Sequence, residues 1–187
     1  MTNLHGRIIL QATDIEPIVK QLREQKKKIV LTQGSFDLVH IGHARYCAKA
    51  REYGDVLIVG VDSDEKVRQR KGPNRPIVPE DERMEMLMHL RSVDYVVLKE
   101  AGEAKFNLIK LIKPDVLIAT AQTYDEKTIK TLEKICGKVV VLDPMATTST
   151  TAKIRLMQMN TARKFEDRMK SKLIKSIEEV LEELRTS

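Results

Sequence analysis

The stretch Ile29-Val30-Leu31-Thr32-Gln33-Gly34-Ser35-Phe36-Asp37-Leu38-Val39-His40-Ile41-Gly42-His43 decides how the whole chain is read. It opens with a short apolar run rich in β-branched side chains, the pattern of a buried strand. Gln33 to Asp37 reads as a turn, and residues 43–52 read as a helix. Two imidazoles flanking a glycine, where a strand hands over to a helix N-terminus, form a natural polyphosphate cradle. The helix end offers unpaired N–H groups and a partial positive charge. Gly42 admits a nucleotide close to the backbone because it has no Cβ. His40 and His43 can donate hydrogen bonds to phosphate oxygens at neutral pH. Taken alone, the pattern fits two surface histidines at a helix start equally well, so its surroundings must decide.

Outward from this point, short runs rich in Val and Ile alternate with longer helical patterns. Strands are expected at 29–32, 56–61, 95–98, 116–118 and 139–142, and helices at 43–52, 80–90, 105–112, 126–135 and 151–159. Near-continuous apolar strands separated by helices imply a parallel sheet covered on both faces. Right-handed crossovers then give an α/β fold, a doubly wound Rossmann-like parallel sheet of about five strands, with ligand beyond the carboxyl ends of the strands. A leader at 1–25 carries a strand-like Ile8-Ile9-Leu10 and a helix from Ile15, with Asp14 as its expected N-cap. The sheet domain is expected at 26–159 and a C-terminal helical extension at 160–187.

From Gly34 to His43 the chain resembles the nucleotide-binding signature of the cytidylyltransferase-like nucleotidyltransferases. Lys71-Gly72-Pro73-Asn74-Arg75-Pro76-Ile77, Pro79-Glu80-Asp81-Glu82-Arg83 and Ser149-Thr150-Thr151 extend the likeness, in order, toward the adenylyltransferase domain of bacterial ADP-heptose synthesis. Glycerol-3-phosphate cytidylyltransferase is a more distant likeness. The resemblance runs from Ile8 to Arg155. It implies nucleotidyl transfer: a phosphate oxygen of a sugar phosphate such as heptose 1-phosphate attacks the α-phosphorus of a nucleoside triphosphate, ATP favoured, and pyrophosphate leaves in line. A cytidylyltransferase acting on an alcohol phosphate and a non-catalytic nucleotide sensor are the alternatives.

The resemblance also implies roles. His40, Gly42 and His43 serve the triphosphate, while Gly34, Ser35 and Phe36 supply backbone contacts to nucleotide or acceptor. Asp37 holds a metal-bound water, orients a histidine or caps the turn. Lys71 and Arg75, in a basic loop restricted by Gly-Pro and Arg-Pro, are expected to bind the acceptor's anion. Arg83 is expected to reach substrate phosphate and to join the two histidines in catalysis. Ser149, Thr150 and Thr151 place hydroxyls and N–H groups at a helix start, which suits the β- and γ-phosphates. Such a transfer needs positioning and charge stabilisation rather than a dedicated base. Mg²⁺ is expected to bridge the triphosphate oxygens through substrate and water, with no protein metal site.

The likeness fails at one place. After Lys113-Pro114-Asp115-Val116-Leu117 the relatives carry a Lys-Gly-Gly-Asp-Tyr-like turn, whereas this chain reads Ile118-Ala119-Thr120-Ala121-Gln122-Thr123-Tyr124. The expected lysine, paired glycines and acid are missing there.

Composition bounds the rest. The chain has 187 residues, 32% charged and 42% hydrophobic, values typical of a globular protein. No apolar run approaches membrane-spanning length. Cys47 and Cys136 are too few for a disulfide framework, so a reducing cytoplasm is the expectation. The net charge of +6 permits an anionic partner, but few aromatics and scattered basic residues argue for a phosphorylated small molecule over nucleic acid. From Ala162 onward, Phe165, Met169, Leu173, Ile177, Val180 and Leu184 share one helical stripe. Basic residues from Arg163 to Lys175 precede acids from Glu178 to Glu183. An antiparallel partner would set each basic half beside an acidic one, so a homodimer through this helix is expected.

Overall fold

The computed structural model describes residues 6–120, 124–143, 145 and 150–186, with the side chains at 150–153, 155, 178–180 and 182–186 left aside. Two compact units divide the chain, residues 1–146 and 147–187. The first holds six strands: β1 (Ile8–Ile9), β2 (Ile29–Gly34), β3 (Val56–Asp62), β4 (Tyr95–Lys99), β5 (Val116–Thr120) and β6 (Lys138–Leu142). All pairings are parallel, in the order β1-β4-β3-β2-β5-β6. The doubly wound sheet therefore has one strand more than the expected five. The added strand is the leader's Ile8–Ile9, which pairs with Val96 and Val97 at the sheet edge.

Helices α1 (Ile15–Glu24), α5 (Asn107–Ile112) and α6 (Glu126–Leu132) cover one face. Ile15, Val19, Leu22, Leu108, Ile109 and Leu132 pack there on Ile29, Leu31, Ile58, Val97 and Leu117. Helices α2 (Ile41–Arg51) and α4 (Glu80–Met88) cover the other, where Cys47, Met84 and Leu87 meet Val30, Leu57, Val59, Val96 and Ile118. The two sets alternate along every strand, because successive side chains point to opposite faces. Strands buried on both sides thus need the near-continuous apolar runs that the sequence carries. Each fully buried Leu or Ile contributes roughly 1.5–3 kcal/mol relative to exposure.

Within the leader, Ile9, Ile15, Val19 and Leu22 are core residues of the sheet unit. Asp14 holds the N-cap position of α1, as expected, but its side chain makes no capping bond; it also closes a 3₁₀ turn, Ala12–Asp14. The sequence reading also passed over α3 (Asp64–Lys71), capped by the Ser63 hydroxyl, which accepts from the Lys66 N–H at 3.3 Å. Only Val67 of that helix is buried, so it carries no apolar period to read. Gly54 closes the turn from α2 into β3, where a Cβ would stand 2.7 Å from the Lys28 carbonyl oxygen.

In the second unit, α7 (Thr150–Thr186) is one helix of 37 residues, not a short helix followed by a separate extension from 160. No Gly or Pro interrupts residues 151–186, so nothing breaks the helix near Asn160. At 1.5 Å per residue it is about 55 Å long. Phe165, Met169, Leu173 and Ile177 are each at least half exposed. No helix among the described residues is long and apolar enough to cross a membrane.

Candidate active site

Strand β2 lies between β3, which leads to one half of the sheet, and β5, which leads to the other. This is the topological switch point, where open parallel sheets bind ligands beyond their carboxyl ends. The loop after β2 leads directly into α2, and His40 is that helix's N-cap. The His40 Nδ1 accepts from the Gly42 N–H at 3.0 Å, and the His43 Nδ1 accepts from the His40 N–H at 3.3 Å. Both rings use Nδ1 as an acceptor, which puts the proton of the neutral imidazole on Nε2. A phosphate oxygen needs a donor of that kind. The rings lie 4.2 Å apart between centroids, and Phe36 meets the His43 ring edge-on at 5.6 Å. Gly42 is buried in the first turn beneath them.

The turn between β2 and His40 is held by more than its own bonds. Phe36 and Leu38 have φ of 48° and 51°, left-handed values that are costly for residues with a Cβ. Asp37, between them, is 5% exposed. Its Oδ1 accepts from the N–H groups of Ile77 and Val78 at 3.0 and 3.1 Å, and its Oδ2 from Arg75 Nη1 at 2.6 Å. Of the roles open to Asp37, the structure shows one that was not among them: it staples the 75–78 loop to the cradle. Arg75, expected to bind an anion, is held in that ion pair and mostly covered.

Arg83 is held by more partners than Arg75. It is 1% exposed, and its guanidinium is a buried brace. Nε donates to the Val78 carbonyl at 3.0 Å, Nη1 to the Ser35 carbonyl, and Nη2 to the Asp62 carbonyl at 2.8 Å and Asp64 Oδ1 at 2.7 Å. Four segments are thereby tied at one point. Arg83 also lines an open groove of about 450 Å³ between Phe36, Leu38 and Val39 on one side and Glu82, Met86 and His89 of α4 on the other. Ser35 is 6% exposed and taken by two arginines, since its hydroxyl accepts from Arg70 Nη2 at 2.6 Å. Lys71 is exposed at the end of α3. Its ammonium is drawn below the usual lysine pKa by partial burial, and then by Arg70 and Arg75 beside it. It is suited to an incoming anion.

Three residues at this edge had no place in the sequence reading. Asp62 ends β3 at 1% exposure, and Lys99 ends β4 with its Nζ 2.9 Å from Asp62 Oδ1. Arg70, in the last turn of α3, stands with Nη2 2.9 Å from Asp62 Oδ2. Burial alone would raise the Asp62 pKa, but Lys99, Arg70 and Lys66 outweigh it and hold the carboxyl below the usual range. A readable signal existed: both Asp62 and Lys99 are charged residues directly after an apolar strand, where the sheet meets its ligand. Tyr124 completes the edge, with its hydroxyl 3.4 Å from Gln33 Nε2 and its pKa pushed up to about 12 by burial. Thr150 and Thr151 open α7, with side chains outside the described set, and Ser149 and residues 121–123 lie outside the described residues. No group of three or more His, Cys, Asp or Glu among the described residues is placed to hold a metal ion.

Residues 31–156 match the cytidylyltransferase-like family. The chain belongs to that family. Among curated relatives, the bifunctional protein HldE of Nitratiruptor sp. is 41% identical over 145 residues, covering 78% of this chain and 31% of its own length. The HldE of Aliarcobacter butzleri is 50% identical over 105 residues, 56% of this chain and 22% of that protein. The chain thus spans less than a third of the curated relatives it matches. Among solved structures, a lipopolysaccharide core biosynthesis protein from Thermoplasma volcanium is 28% identical with a TM-score of 0.53, covering 66% of this chain and 99% of that one. A pantoate-beta-alanine ligase from Francisella tularensis, at 18% identity and a TM-score of 0.53, covers 73% of this chain and 67% of its own; it shares the fold.

Proposed function

We propose that the protein transfers a nucleoside monophosphate, from ATP in preference to other triphosphates, to a phosphorylated sugar such as heptose 1-phosphate, with release of pyrophosphate. The observation that carries this reading is the histidine pair at the α2 N-terminus, set at the sheet's switch point in a chain of this family. His40 and His43 present Nε2 donors to the oxygens of the α- and β-phosphates, where negative charge builds as the leaving bond stretches. The α2 N-terminus adds its partial positive charge. Lys71 draws in the acceptor's phosphate, and the stapled 75–78 loop fixes one wall of the site. Thr150 and Thr151, with Ser149, hold the end of the triphosphate. Mg²⁺ would be held by the triphosphate and water rather than by side chains of this chain, and would supply charge neutralisation there. Arg83 acts as a positioning residue through Ser35 and Asp62.

The departure at Ala119 to Tyr124 keeps a second reading in play, a cytidylyltransferase acting on an alcohol phosphate such as glycerol 3-phosphate. A nucleotide sensor that performs no transfer is the third. A matrix of the four nucleoside triphosphates against phosphorylated sugars and alcohols, scored by pyrophosphate release, separates all three. Release with ATP and a sugar 1-phosphate is the expected result, and silence across the matrix overturns the transferase reading.

The protein works in the cytoplasm as a homodimer joined through α7. The exposed apolar stripe and the basic-then-acidic order of the helix support an antiparallel partner of the same sequence. Acids near a helix C-terminus oppose the macrodipole in isolation, and a basic stretch from a second copy relieves that.

A further inference from the structure

Asp62 has a feature that its ion pairs do not explain. Its side chain is fully covered, yet no protein donor completes a hydrogen bond to Oδ2. Arg70 Nη2 is close, at 2.9 Å, and donates to the Ser35 hydroxyl at 2.6 Å, but neither of its N–H groups is aligned on Oδ2. A buried carboxylate oxygen left in that state is uncommon and costly, and it asks for a donor. Its position narrows the choice. Asp62 stands at the carboxyl end of β3, next to the strand that carries the cradle, and shares that edge with Gln33, Lys99 and Tyr124.

The arrangement around Asp62 is built. The Lys99 stem reaches the carboxylate by passing over Gly60, where a Cβ would stand 2.8 Å from Lys99 Cδ and 2.7 Å from Leu108 Cδ2. Gly60 therefore cannot gain a side chain without moving Lys99 or Leu108. Above Asp62 lies Arg70, whose side chain is 55% exposed and can swing. A metal ion is a poor occupant, because Lys99, Arg70 and Lys66 already face this carboxylate and would repel a dication. A neutral donor suits it, and a sugar hydroxyl is one. The surplus of positive charge over the single carboxylate suits a phosphate on the same molecule.

We propose that Asp62, Arg70 and Lys99 form the subsite that reads the acceptor: Arg70 turns toward the acceptor's phosphate, and the uncovered Asp62 Oδ2 accepts a hydrogen bond from a hydroxyl of a phosphorylated polyol. The inference rests on the transferase reading only in taking the acceptor to be phosphorylated. Lys99 holds the carboxylate in place, and Asp62 gives the preference for a hydroxylated ligand over bare phosphate.

The test is calorimetric titration of the full-length protein with Mg²⁺ and a non-hydrolysable ATP analogue present. Heptose 1-phosphate, glucose 1-phosphate, glycerol 3-phosphate and inorganic phosphate are compared in the wild type, Asp62→Asn and Asp62→Ser, with folding checked by circular dichroism. In the wild type at least one hydroxylated ligand binds about tenfold or more tightly than inorganic phosphate, the scale of one hydrogen bond to a charged group. Both variants lose that advantage while their affinity for inorganic phosphate holds. A wild type with no such advantage overturns the proposal. So does a folded variant that keeps it, which would mean that Asp62 serves only its ion pair with Lys99. Should a variant fail to fold, the wild-type comparison still decides against the proposal if the advantage is missing, and the other variant carries the remaining arm. Absence of pyrophosphate release with the binding advantage intact removes the transferase reading and leaves the subsite standing.

Discussion

Replacing Arg83 by Lys separates a brace from a phosphate ligand. A lysine keeps the charge but offers its three donors from a single nitrogen, so it cannot span acceptors on four segments. The arginine serves the Val78, Ser35 and Asp62 carbonyls and the Asp64 carboxylate from a site 1% exposed. A hydrogen bond to a charged group is worth roughly 1.5–3 kcal/mol. If the ammonium recovers half of the four, the net loss is about 3–6 kcal/mol, close to the scale of breaking a buried ion pair. At roughly 2–4 °C per kcal/mol for a chain of this size, Tm should fall by about 10 °C. Differential scanning calorimetry of the full-length variant measures it, and steady-state kinetics for both substrates run alongside. The brace predicts a large drop in Tm, with losses in kcat that follow the disturbed Ser35–Asp37 turn. A variant that melts within about 2 °C of the wild type and shows only a raised acceptor KM would refute the reasoning and return Arg83 to the substrate.

Other outcomes follow from the same geometry. His40→Asn keeps an N-cap acceptor and should keep stability, whereas His40→Ala should lose about 1 kcal/mol of it; both should lower kcat by about a hundredfold or more, and near-normal turnover in either would remove the histidine from the chemistry. Cys47, its thiol pushed up to about 12 by burial, should resist alkylation at pH 8 in the folded protein and react on denaturation; rapid native labelling would contradict its burial. Because Asp62 is held below its ordinary 3.8, its contribution to stability is complete above that value and is lost as pH falls through the depressed one. The Tm gap between wild type and Asp62→Asn should therefore stay constant from pH 7 down to about 4 and close only below; a gap that closes at higher pH would assign the pairing to another group. Leu173→Glu with Ile177→Glu puts charge on the exposed stripe of α7 and should yield a monomer by sedimentation, and an unchanged dimer would place the interface elsewhere.

Much of the fold was legible because burial on both faces leaves a strand little choice of residue. Ile29 to Thr32 and Val56 to Val61 could be read as strands without knowledge of their neighbours. Helix α3 could not, since a helix lying over a polar edge needs only Val67 to anchor it. At the site, the helix start at His40 and the closeness of His43 were legible because the two residues are local in sequence. The arginines were not. Arg75 and Arg83 look like phosphate ligands in a basic loop and an acidic helix, and sequence alone does not show that Asp37 pairs with the first and that the distant Ser35 and Asp62 carbonyls accept from the second. Long-range pairing of that kind also hid Asp62 and Lys99, which are 37 residues apart.

One detail of the cradle reaches beyond phosphate binding. The His40 nitrogen that caps α2 does so with a lone pair, accepted from the Gly42 N–H. A proton and a cap compete for that single pair of electrons, so the ring cannot hold both at Nδ1. The orientation of the ring is therefore tied to the backbone of the first turn of α2. A substitution at residue 40 thus acts on the start of α2 as well as on whatever the ring itself meets.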